Sequence, residues 1–193
     1  MLAGALSRPA RFLGLHWFNP AHLIPLVEVV ATEATDHGVV EWSLALLTDV
    51  GKRSLVVPLI DGFLVNRLQY ALIREALQLI QSGLATAEQI DAVVTGCLGP
   101  RWAVIGPLRS TDLAGVETAI AVATQLFPKL SGATTPQSVL ANLAENDRLG
   151  AAAGEGFFSY PSGSDVTGDR DRRLLAVLEV LAGGVAEGDA TDG

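Results

Sequence analysis

Two short runs of β-prone residues, Phe12 to Leu15 and Leu26 to Val30, flank a stretch that carries Asn19, Pro20 and Pro25. Proline fixes φ and gives no amide hydrogen, so this stretch reads as a turn and the whole as strand, loop, strand. Folding back in this way brings Glu28 next to His16. A carboxylate bonded to one imidazole nitrogen fixes the tautomer and favours the imidazolium, which leaves the other nitrogen as a base toward a substrate hydroxyl. Both residues also have a plain structural reading. A histidine at a strand end is commonly a satisfied structural residue, and a glutamate in a valine-rich run can be the solvent-facing member of a half-exposed strand.

The chain after this pair is expected to turn helical. Asp36 reads as an N-cap, and Val40, Leu44, Leu47 and Val50 follow at helical spacing until Gly51. A short strand over 54–57 comes next, and Pro58 with Asp61-Gly62 marks a change of structure, where we place a domain boundary. The spacing predicts a long helix from Phe63 to Ser82, apolar over most of its circumference and therefore buried on several sides. Asn66 lies near its N-terminus, where its amide either bonds the local backbone or positions a substrate carbonyl. Thr86 and Gln89 have the spacing of a capping box. Residues 98–107 are expected to be a shaped loop, residues 113–127 a helix, and Thr135-Pro136 the N-cap and N1 of a helix running toward Glu145. Gly150 to Tyr160 reads as an aromatic turn docked on the helices. Residues 162–171 are expected to be a solvated linker before a short helix over 172–181, and the tail 184–193 to be disordered.

At 193 residues, 49% hydrophobic and 18% charged, the chain is long enough for a core of its own, and a net charge of −8 excludes a nonspecific nucleic-acid surface. No secretory signal and no long uncharged apolar run is read, so no membrane partner is expected and the cytoplasm is the expected location. The single cysteine, Cys97, excludes an internal disulfide and is expected to be a buried structural thiol. No set of metal ligands is read.

The blocks His16-Trp-Phe-Asn19-Pro20, Leu26-Val-Glu28-Val and Gly62-Phe-Leu-Val-Asn66-Arg67, in this order, resemble successive signatures of the 3-hydroxyacyl-CoA dehydrogenase family. The likeness continues through Gly106-Pro107, Asp112-Leu-Ala-Gly115 and Gly154-Glu-Gly-Phe-Phe158. Asn66-Arg-Leu-Gln-Tyr70 and Arg101-Trp-Ala-Val-Ile-Gly-Pro107 are also similar to the lambda-crystallin and L-gulonate dehydrogenase branch, whose substrates are 3-hydroxy acids without CoA.

The resemblance implies a mainly α chain, in which a helical dehydrogenase domain follows a small β/α remnant of a Rossmann domain. It implies residues 1–58 for the remnant, 59–160 for a helical substrate and dimerisation domain, and 161–193 for a linker, short helix and acidic tail. It implies an NAD-dependent oxidation of a 3-hydroxyacyl-CoA to a 3-oxoacyl-CoA in fatty-acid metabolism, by a homodimer. His16 is then the base, Glu28 its orienting carboxylate, Asn66 the substrate-positioning amide and Asn19 a supporting residue. The family's glycine-rich dinucleotide turn and its upstream substrate serine have no counterpart here, and Ala151 to Ala153 stand where lysines are usual. The expectation is therefore a dehydrogenase polypeptide truncated in sequence or completed by a separately encoded Rossmann chain, or alternatively a non-catalytic dimerisation module. An uncovered apolar surface and an unpaired strand edge near residues 12–30 follow from the same reasoning.

Overall fold

The structure, a computed structural model, describes residues 2–188. Three strands form one sheet in the order β1-β2-β3: β1 is Leu13–His16, β2 is Leu26–Ala31 and β3 is Arg53–Val57. β1 and β2 are antiparallel with His16 opposite Glu28, whereas β2 and β3 are parallel and joined through α1, His37–Asp49. Asp36 caps α1 by accepting from the Gly38 amide at 2.9 Å. Val27 and Val29 on one face of β2 pack with Leu47 of α1, and Leu13, Leu15, Val40 and Leu44 close around them. With one neighbour on each edge and helix on one face, β2 is the centre of this small core.

The unpaired edge expected near residues 12–30 is present, since β1 ends the sheet among the described residues. The uncovered apolar surface is not there. Val27, Val29 and Val30 are buried, and the exposed apolar side chains of the sheet are Leu55 and Val56 on β3.

The chain divides into two compact units between Gln69 and Tyr70, within the helix α2, Val65–Gln81. The second unit is helical: α3 Ala87–Val93, a π-helical turn Val94–Leu98, α4 Gly99–Ile105, α5 Pro107–Ala114, α6 Val116–Leu126, α7 Ser138–Glu145 and α8 Val166–Gly188. A mainly helical chain behind a small part of a Rossmann fold is thus the architecture observed. The Thr86–Gln89 capping box forms as expected.

Four expectations are corrected. Residues 98–107 are helical rather than a loop, because Pro100 and Pro107 occupy first-turn positions, where a missing amide hydrogen costs nothing. The chain is broken only at Gly106. α7 starts at Ser138 and not behind Thr135-Pro136, because Gln137 is buried and its side-chain Nε2 donates to Arg74 O of α2 at 2.8 Å, which ties the chain to that helix first. The acidic stretch expected to be a linker opens the 23-residue α8: Asp165 accepts from the Gly168 amide, and its neighbour Asp169 pairs with Arg172 and Arg173. Cys97 is exposed, because its π-helical turn leaves it outside the packing. Residues 189–193 of the expected disordered tail lie outside the described residues.

α2 also differs from the expectation of burial on several sides. Only Leu77 is buried, while Leu68, Tyr70 and Leu72 are exposed.

Candidate active site

Antiparallel register alone places His16 and Glu28 side by side on one face of the sheet. His16 Nδ1 lies 2.8 Å from Glu28 Oε2. The other carboxylate oxygen, Oε1, accepts from the amides of Leu64 and Val65 at 3.0 Å each, so Glu28 also caps the N-terminus of α2. Glu28 has no exposed surface at all, and the histidine side chain retains 26% of its own. The solvent-facing reading of Glu28 is therefore excluded.

Burial raises the pKa of a carboxyl group, but the bonds from His16 and from the Val65 and Leu64 amides outweigh it, and Glu28 is held below its ordinary value. An ionised carboxylate only accepts, so the proton of neutral His16 is on Nδ1 and the lone pair on Nε2. That nitrogen is the one left open to accept a proton. Two rings hold the imidazole: Phe18, centroid 4.5 Å away at 64°, and Phe63, 5.3 Å away at 61°.

Phe63 sits there at φ +49, directly after Gly62 at φ +79. Two consecutive left-handed residues turn the chain sharply into α2, which directs both free amides at Glu28 and brings the Phe63 ring to His16. A non-glycine residue is strained in this conformation, and such strain concentrates at working sites. Asn66 is the second residue of α2, half-buried, and its side chain makes no hydrogen bond among the described residues. Asn19 is exposed on the loop between β1 and β2, before Pro20 in a cis peptide, and is likewise unbonded through its side chain among the described residues.

The sequence pointed to the pair but not to its supports. The α2 amides, Phe18, Phe63 and Lys52 were missed; Lys52 donates from Nζ to Ala21 O and Ile24 O in the loop after His16. The signal available for Phe63 was Asp61-Gly62, which marks a tight turn immediately before the helix.

A strand, helix and strand with a histidine–carboxylate pair bridging β1 and β2, followed in the chain by a helical unit, is an arrangement of the dehydrogenase class. Two family models match: "3-hydroxyacyl-CoA dehydrogenase, NAD binding domain" over residues 1–59 and "3-hydroxyacyl-CoA dehydrogenase, C-terminal domain" over residues 62–160. The chain belongs to the 3-hydroxyacyl-CoA dehydrogenase family.

Among its relatives is 5-formyl-3-hydroxy-2-methylpyridine 4-carboxylate 5-dehydrogenase of Mesorhizobium japonicum, 34% identical over 94% of this chain and 60% of that protein. The solved structure of a protein of that name, titled an NAD+ dependent dismutase, superposes with a TM-score of 0.90 at 34% identity, over 94% of this chain and 60% of its own. L-carnitine dehydrogenase of Nocardiopsis dassonvillei is 37% identical over 94% of this chain and 55% of its own length. 3-Hydroxybutyryl-CoA dehydrogenase of Mycobacterium tuberculosis is 35% identical over 82% and 55%. The chain thus spans between 55% and 60% of the length of these curated relatives.

A dinucleotide pyrophosphate is held by a glycine-rich turn between a strand and a helix N-terminus. Of the two strand-to-helix connections here, the one from β2 to α1 has no glycine and the one from β3 to α2 has only Gly62. The Leu64 and Val65 amides at the start of α2 are moreover already taken by Glu28. Among the described residues, neither connection is therefore a glycine-rich turn of the kind that holds a pyrophosphate.

Proposed function

We propose that this chain carries the proton-transfer half of an NAD-dependent 3-hydroxyacyl-CoA dehydrogenase, which oxidises a 3-hydroxyacyl-CoA to the 3-oxoacyl-CoA. The observation that carries the reading is Glu28, buried and ionised between His16 Nδ1 and the two α2 amides. His16 Nε2 takes the proton of the 3-hydroxyl group as the carbinol carbon becomes a carbonyl. Glu28 keeps the ring in the tautomer this requires, and stabilises the positive charge the ring acquires. Asn66, unbonded within the described residues, donates its amide to the substrate carbonyl, and Asn19 supports the substrate from the loop.

The redox chemistry belongs to the nicotinamide, for which these residues build no cradle, so a Rossmann unit has to complete the enzyme. In this reading residues 1–58 bear the base, 59–160 shape the substrate site and the dimer, and 161–193 form a C-terminal extension. A second reading has a small 3-hydroxy acid without CoA as substrate. It is favoured by the L-carnitine dehydrogenase of Nocardiopsis dassonvillei, which matches 94% of the chain where the hydroxybutyryl-CoA enzyme of Mycobacterium tuberculosis matches 82%.

The test supplies the chain with the family's NAD-binding unit and follows NADH formation. Turnover of 3-hydroxybutyryl-CoA that His16→Gln abolishes is expected. Turnover of L-carnitine alone moves the assignment to the second reading, and no His16-dependent oxidation of either substrate defeats both. The chain alone, titrated with NADH, should give no saturable fluorescence change at micromolar concentrations.

A further inference from the structure

We propose that Lys52 is a positioning residue for His16, clamping the loop that leaves the histidine through two backbone carbonyls and one indole face. The inference rests on the reading of His16 as the base and deepens it. Lys52 lies between α1 and β3, and its own backbone is fixed on both sides. Its amide donates to Leu47 O and the next amide, Arg53 N, donates to Pro25 O, each at 2.8 Å. From this anchored point the side chain reaches across to the loop of residues 17–25. Nζ donates to Ala21 O at 2.8 Å and to Ile24 O at 2.9 Å, and stands 5.8 Å from the centroid of the Trp17 ring.

An ammonium has three hydrogens and no acceptor, so one point charge can gather several carbonyls at once, and such charge-assisted bonds are the stronger kind. The indole face adds a cation–π attraction. The three contacts hold the loop at its first residue, its middle and near its end. This loop matters to the base for two reasons. Trp17 is the chain neighbour of His16, and Phe18 lies edge-on against the imidazole at 4.5 Å. Glu28 sets the tautomer only while Nδ1 faces it, and one carboxylate bond does not by itself keep the ring facing that way. Phe63 packs on the ring from the turn into α2 and Phe18, held in place by the clamped loop, supplies the other restraint that keeps Nδ1 facing Glu28.

The experiment uses the 15N-labelled chain. Long-range imidazole spectra report the tautomer of His16, and amide exchange at Leu23 and Ile24 reports the loop, in wild type, Lys52→Met and Lys52→Arg. Wild type is expected to show a single form protonated at Nδ1. In Lys52→Met, which keeps the stem but loses the charge, the His16 signals should shift toward a mixture and the loop amides exchange roughly tenfold faster, while Val29 and Leu47 keep their protection. Lys52→Arg should restore both. A faster loop with an unchanged His16 spectrum makes Lys52 a staple and overturns the proposal, as does no change in either. Failure of the base reading shows separately, in wild type, as a His16 without the Nδ1-protonated form. Should Lys52→Met not fold, Trp17→Leu is measured in the same way, with a smaller shift of the same signals expected and no shift overturning the proposal.

Discussion

Glu28 holds a charge in a fully buried place, and three donors are what keep it there. Its folded pKa lies below the ordinary 4.5, so the stability it contributes is present above that value and lost as the pH falls through the lower folded one. Glu28→Gln tests this. The amide is the same size but uncharged and has only one accepting oxygen, so with that oxygen on the α2 amides its NH2 group can meet His16 Nδ1 only as a donor, in the opposite tautomer. We expect a loss of roughly 1–3 kcal/mol at pH 7 by urea unfolding, and a shallower decline below pH 4.5 than in wild type. Equal acid slopes would mean that Glu28 does not titrate in that window. Phe63 adds a second test, because its ring favours the site while its left-handed backbone opposes it. Phe63→Ala loses the ring and keeps the strain; Phe63→Gly loses both. The glycine variant should therefore be the more stable of the two by about 1 kcal/mol in a denaturant melt, and the reverse order would show that the turn is not strained.

Helices α4 and α5 are one helical path interrupted by Gly106, at φ +68 and ψ 167, a region that only glycine occupies readily. Gly106→Ala should cost about 1–3 kcal/mol although nothing lies within 4 Å of the added methyl group, so the penalty is one of backbone conformation alone. A thermal melt unchanged from wild type would refute it. This segment also shows what limits a reading from sequence. α1 and α3 were legible because Asp36 and the Thr86–Gln89 pair carry local signals that the backbone obeys. Glycine and proline around residues 98–107 carry a local signal too, but one that serves a helix start as well as a loop, and only the packed chain decides between them. The opening turns of α8, before the helix expected over 172–181, were hidden in a similar way, since alternating Asp and Arg read as solvated chain until their spacing is seen to pair them along a helix. The His16–Glu28 pair was legible from a strand, a turn and a strand. The second half of the carboxylate's role was not, because Leu64 and Val65 are 36 and 37 residues away and reach it only through tertiary structure.

At the scale of the whole molecule, the helical unit exposes more large apolar surface than a solitary domain needs. Leu108 is 80% exposed, Leu113 75% and Phe127 71%, with Val116, Ile120 and Val122 exposed on α6. Scattered apolar residues on a surface are ordinary, but several on consecutive helices suit an interface. We expect homodimerisation through this surface, at roughly 800 Å² from each partner for a stable complex. The charge works against it. Each copy carries −8, so two copies repel, and added salt screens the repulsion while leaving apolar burial in place. Association should therefore strengthen between low and physiological ionic strength, the opposite of an interface held by ion pairs. Light scattering should give twice the 20.2 kDa of one chain, more completely as salt rises, and Ile120→Glu should shift the equilibrium back to monomer by placing one charge on each apolar face. A monodisperse monomer at all salt concentrations would leave this face to another partner, and dimers that dissociate on adding salt would place the interface on charged residues instead.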